Sequence, residues 1–171
     1  TSSQTPAGSP AWLFYAYLAL LVWLPLPLAS ARPWAAAIME LWVFALAAAW
    51  LWLYARQRVS LTPVLAKTRA VLWFLAAWLV YGLVQILPMP SDLVEFISPK
   101  TFELHAALGV PGAGHASGWL TLSIDPYASD VAWLKSLAYV LIFVLTLLFV
   151  DSRRRVRQLA YVLVYSALFQ A

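Results

Sequence analysis

Four stretches of this chain, 11–29, 34–55, 70–87 and 131–150, run for about twenty residues each with only Glu40 and Lys135 charged. At a rise of about 1.5 Å per residue, such a run crosses the roughly 30 Å hydrocarbon core of a bilayer as one helix. The backbone enforces that form, because lipid offers no partner for a free N–H or C=O. The rest of the composition agrees. Of 171 residues, 64% are hydrophobic and 11% charged, against about 45–50% and 25% in soluble domains. One small core cannot hide that excess. Disorder, collagen and a disulfide-stapled secreted scaffold are excluded. Cysteine is absent, so no disulfide, iron–sulfur cluster or thiolate metal site can form. The expected class is an all-α polytopic membrane protein.

Residues 1–10 (TSSQTPAGSP) are polar, with Pro and Gly, and read as a disordered tail. The transmembrane domain is expected over 11–171, with helices at about 11–29, 34–55, 70–87, 131–150 and 158–171. The fifth is truncated, since its residues reach only about 21 Å. Ala29-Ser30-Ala31 resembles a signal-peptidase site. No Lys or Arg precedes it and the apolar run is long, so a retained helix is the better reading. Arg32-Pro33-Trp34 forms a short turn with Pro33 in the first turn of the next helix. Residues 56–69 and 151–157 are basic connections. Pro88 and Pro90 end the third helix.

The connection 89–130 carries structure of its own. Ser91-Asp92 caps a short amphipathic piece. Ser98-Pro99 starts another, with Gly109 as its stop. Leu93, Val94, Phe96, Ile97, Phe102, Leu104 and Leu108 need an apolar partner, so 91–109 is expected to lie on the outer membrane face. Residues 110–118 form a Gly-rich loop, and 119–124 suit a short extended segment. Asp125-Pro126 reads as cap and first position of the helix that spans 131–150.

Orientation follows from Lys and Arg. Eight of the 11 basic residues lie in 56–69 and 151–157, while 89–130 holds five acids and only Lys100. The positive-inside rule makes the basic stretches and the N-terminus cytoplasmic and 89–130 periplasmic.

Candidate chemistry is sparse. The run Arg153-Arg154-Arg155-Val156-Arg157 beside an apolar segment is a topology determinant touching lipid head groups, so no nucleic-acid partner is expected. Gly109, Gly112, Gly114 and Gly118 do not fit a phosphate-loop spacing. His105 and His115 lack the spacing of a metal pair and read as solvated loop histidines, and no metal is expected. Trp12, Trp34, Trp119 and Trp133 sit where aromatic belts form, and the other six tryptophans suit packing or lipid contact. Two charges stand out. Glu40 lies about two turns into the second helix, where a carboxylate must face protein or water. Arg32 lies at the outer boundary, where a guanidinium can hold a phosphate bidentately, pair with Glu40 or snorkel to the interface.

Two runs carry a resemblance. Leu-Pro-Leu-Pro-Leu-Ala-Ser-Ala-Arg-Pro-Trp at 24–34 is the first. Leu-Thr-Leu-Ser-Ile-Asp-Pro-Tyr-Ala-Ser at 120–129 is the second, followed by a Leu-rich helix and Arg-Arg-Arg-Val-Arg-Gln-Leu at 153–159. In order and spacing the chain resembles the N-terminal portion of the O-antigen ligase and polymerase family of bacterial membrane glycosyltransferases. The resemblance implies an inner-membrane, GT-C-like protein using an undecaprenyl-diphosphate-linked glycan, with neither nucleotide sugar nor cofactor. The essential Arg and His residues of that family lie in a downstream periplasmic loop, so no catalytic residue carries over. Arg32 matches the Arg of the first run and is the candidate donor-phosphate contact, with Glu40 its possible partner. Two other readings compete: a non-catalytic membrane subunit of a larger complex, and a transporter fragment. A transporter needs polar, broken helices at mid-membrane, for which only Glu40, Tyr81, Gly82 and Gln85 qualify.

Overall fold

The computed structural model describes residues 10–24, 33–111, 118–150 and 152–170. The chain is an all-α membrane protein. Its helices are α1 (Ala11–Trp23), α2 (Pro33–Ala55), α3 (Pro63–Lys67), α4 (Arg69–Ile86), α5 (Ser91–Ile97), α6 (Pro99–Ala107), α7 (Pro126–Phe149) and α8 (Arg153–Gln170). Two strands, β1 (Met89–Pro90) and β2 (Trp119–Leu120), complete the described elements. Among the described residues three helices, over Trp34–Ala55, Arg69–Ile86 and Pro126–Phe149, are long and apolar enough to cross a membrane. Helix α1 is shorter, and the expected continuation over 25–29 lies outside the described residues, as does Arg32.

The chain divides into two compact units, Thr1–Val71 with Leu137–Ala171, and Leu72–Ser136. In the first, α1 packs against both α2 and α8. Its buried residues fall in two stripes, Leu13, Tyr17, Leu20 and Phe14, Leu18, Leu21, as a helix covered on two sides requires. Helix α2 buries Met39, Val43, Leu46, Trp50 and Leu53. That 4-3-4-3 spacing is a single seam. Leu41, Leu51 and Trp52 on its other faces are exposed. A helix apolar all round with one covered seam is built for lipid on the remainder.

One end of this unit gathers both basic stretches. The Thr62 hydroxyl donates to the Leu147 carbonyl at 2.9 Å, and Val59 is buried in the core. Arg155 donates from Nη1 to the Phe149 carbonyl at 3.0 Å, and its guanidinium lies 4.9 Å from the Phe14 ring centre. A cation at a helix C-terminus also meets the negative end of the dipole. The run at 153–157 therefore does more than mark topology: one of its arginines closes α7.

In the second unit β1 and β2 pair antiparallel, Met89 with Leu120 and Pro90 with Trp119. The ribbon brings the end of α4 to the approach to α7, and α5 and α6 pack on each other beside it. Helix α6 ends as the sequence predicts. Gly109 is left-handed at φ 66°, with Gly109 N–H on Ala106 O and Val110 N–H on His105 O, the paired closure of a Schellman motif.

Several expectations are corrected. The last helix begins at Arg153, not 158, so its first turns carry four arginines. The fourth apolar helix, by contrast, starts where the sequence places it, at Pro126, capped by Asp125, whose Oδ1 accepts the Ala128 N–H at 3.0 Å. Helix α3 was not expected; Thr62-Pro63 starts it, with proline's fixed φ in the first turn. Pro90, not Ser91, holds the cap position of α5, and Ser91 is buried in the first turn. Ser98 does stand at the cap of α6, but its hydroxyl meets the Thr101 hydroxyl at 2.8 Å rather than a backbone N–H.

Candidate functional site

The end of α4 presents Trp78, Tyr81, Gly82 and Gln85, spaced i, i+3, i+4, i+7 and hence on one face. The start of α7 presents Ser129, Ala132, Trp133 and Ser136 with the same spacing. The two faces line a hollow of about 310 Å³. A second hollow of about 370 Å³ is lined by Tyr81, Val84 and Gln85 with Ile97, Ser98 and Thr101 of the α5–α6 corner and Leu122 and Ser123. Tyr81 and Gln85 line both. Among the described residues no charged side chain lines either.

Close approach depends on Gly82. A Cβ there would lie 2.9 Å from Trp133 Cδ1, inside van der Waals contact. The Trp133 indole N–H donates to the Leu79 carbonyl at 2.9 Å, locking the ring against α4. On the same face the Trp78 and Tyr81 rings are tilted at 42° with centres 6.4 Å apart.

The floor is built by the run 120–129. Thr121 Oγ1 donates to Ser123 O at 2.7 Å. Ser123 N–H donates to Gln85 O at 3.0 Å, and Ser123 Oγ lies 2.6 Å from Ser129 Oγ. Leu120 pairs in the ribbon. His105 Nε2 lies 3.0 Å from Thr121 O; a carbonyl only accepts, so the nitrogen donates. His105 is 3% exposed, and its Nδ1 is buried without a hydrogen-bond partner among the described residues. The solvated-loop reading of His105 is thus overturned: the ring is an internal strut between α6 and the 120–129 run. His115 lies outside the described residues.

Of the residues singled out in sequence, Tyr81, Gly82 and Gln85 come together here. Glu40 is on α2, half-buried, with no hydrogen-bond or ion-pair partner among the described residues. Sequence reasoning missed Ser129, Trp133 and Ser136 as the facing half. The available signal was their repeat of the i, i+4, i+7 spacing of Tyr81 and Gln85's own face. Among the described residues no group of three or more His, Asp or Glu could hold a metal ion. Comparison with protein-family models, curated proteins and solved structures gave no match.

Proposed function

We propose that this chain is the N-terminal membrane part of an O-antigen ligase/polymerase-type glycosyltransferase. It acts on undecaprenyl-diphosphate-linked glycans in cell-surface polysaccharide assembly in the bacterial inner membrane. The observation that carries the reading is the 120–129 run. This run bears half of the resemblance, and it is the hydrogen-bonded corner that seats both hollows at the end of an apolar helix. A lipid-linked glycan presents its chain to apolar helices and its head at the membrane boundary. The N-terminus and the basic stretches are read as cytoplasmic and 89–130 as periplasmic. Arg32 remains the proposed donor-phosphate contact, with Glu40 its possible partner.

The test is transfer by the full-length protein in vesicles. It is given an undecaprenyl-diphosphate-linked glycan and lipid A–core, and the product is followed by mass. Glycan moved to the core, or extended on its carrier, supports the reading. Intact donor after prolonged incubation with either acceptor overturns it. Transfer that requires a second membrane polypeptide makes the chain a subunit instead.

A further inference from the structure

We propose that the two hollows flanking Tyr81 and Gln85 form a glycan subsite that takes neutral sugar rings of the lipid-linked substrate and not its diphosphate. The proposal rests on the functional reading above and names which part of that substrate this cleft holds.

Charge decides against the diphosphate. Among the described residues no Lys, Arg or His lines either hollow, and a multiply charged group placed there would lose water without gaining a counter-charge from them. A neutral pyranose makes no such demand. Its C–H faces are apolar and its rim is a ring of hydroxyls. Trp78, Tyr81 and Trp133 supply flat apolar surface, of the kind that covers such a face.

The hydrogen-bond account points to the same two residues. Ser123, Ser129, Trp133 and Ser136 already spend their polar groups within the protein. The Tyr81 hydroxyl and the Gln85 side-chain amide have no hydrogen-bond partner among the described residues. Together they offer a hydroxyl that donates or accepts, an N–H₂ with two donors and a carbonyl acceptor. That set matches sugar hydroxyls, which also do both. An acyl chain would leave every one of these groups unpaired. Each hollow, at about 310 and 370 Å³, falls in the roughly 300–1,000 Å³ range of small-molecule sites. Since Tyr81 and Gln85 line both, two successive rings would share them.

The test is binding by the full-length protein in nanodiscs of phosphatidylethanolamine and phosphatidylglycerol, free of glycolipid and of sugar-headed detergent. One probe is undecaprenyl diphosphate carrying a neutral N-acetylhexosamine disaccharide; the other is bare undecaprenyl diphosphate. The sugar-bearing probe should bind on the order of 10-fold more tightly. Gln85→Ala and Tyr81→Phe should each weaken it about 3- to 10-fold, the worth of a lost hydrogen bond or two, and leave the bare probe unchanged. Tyr81 is 60% exposed and Gln85 half-buried, so neither change cuts into a core, and unchanged melting temperatures confirm it. Equal binding of both probes by the unaltered protein overturns the subsite while the wider reading stands. Variants that weaken both probes alike, or neither, also overturn it. Failure of both probes to bind overturns the functional reading and the subsite with it.

Discussion

His105 and Gly82 show how single residues set this architecture. The His105 ring holds α6 to the Thr121 carbonyl through one N–H, and it is nearly fully buried. His105→Ala removes the donor and leaves that carbonyl short of a partner, a loss of about 1–3 kcal/mol. Gln places an N–H₂ near the position of Nε2, so His105→Gln should retain roughly half of the loss. Thermal unfolding of the three proteins in one detergent, with proteolysis of the 89–125 connection as a local readout, checks the order. At Gly82 the obstacle is steric. The Cβ of Gly82→Ala would sit 2.9 Å from Trp133, so the indole must turn away and give up Leu79 O. Overpacking of this kind costs about 1–3 kcal/mol. The variant should melt lower, and Trp133→Phe in the Gly82→Ala background should restore part of the loss.

The helices divide into those whose limits the sequence announces and those set by distant partners. Gly109 stops α6 and Asp125-Pro126 starts α7 because each signal is local: a left-handed backbone or a cap needs no other element. The two-residue ribbon was half legible: Trp119 and Leu120 fall in the segment expected to be extended, whereas Met89 and Pro90 are strand only through pairing with Leu120 and Trp119, about thirty positions away. The cap expected at Ser91 failed for the same reason. Its N–H is taken by Gly118 O at 2.9 Å, and Ser91 is the first helical residue with Pro90 at the cap position. Half of the candidate site was legible. Tyr81 and Gln85 stand out as polar residues in an apolar run, whereas Ser129 and Ser136 look like an ordinary wet helix start. Helix α2 adds a case no composition reveals. It closes with the Schellman pairs Gln57 N–H to Tyr54 O and Arg58 N–H to Leu53 O, and Gln57 takes φ 57°. A side chain in that region costs about 1 kcal/mol, which glycine avoids. Gln57→Gly should therefore raise the melting temperature, because the left-handed gain exceeds the extra freedom of an unfolded glycine. A lower one would mean that the side chain makes a contact worth more than the strain.

For the whole molecule, topology joins charge to connectivity. Helix α4 starts in the basic stretch 56–69 and ends at the connection that begins at Leu87; α7 starts from that connection and ends at the basic stretch 151–157. A helix that crosses the bilayer puts its ends on opposite sides, so both helices set the connection against both basic stretches. Those stretches already meet at one end of their unit through Thr62 and Leu147. Lys and Arg set orientation far more than Asp and Glu do, which is why we propose that the basic end is cytoplasmic. The cysteine-free chain makes this directly measurable. Lys100 and Arg58 are both exposed, and neither substitution empties its side of its sign: Arg58→Cys leaves seven of the eight cations in the two basic stretches. Lys100→Cys should react with a membrane-impermeant maleimide in cells whose outer membrane alone is opened. Arg58→Cys should react at least about ten times more slowly until the inner membrane is permeabilised. The reverse pattern would invert the protein and put the cleft beside Tyr81 and Gln85 on the cytoplasmic side, contrary to the proposed orientation. Equal reaction at both positions would mean that α4 does not cross.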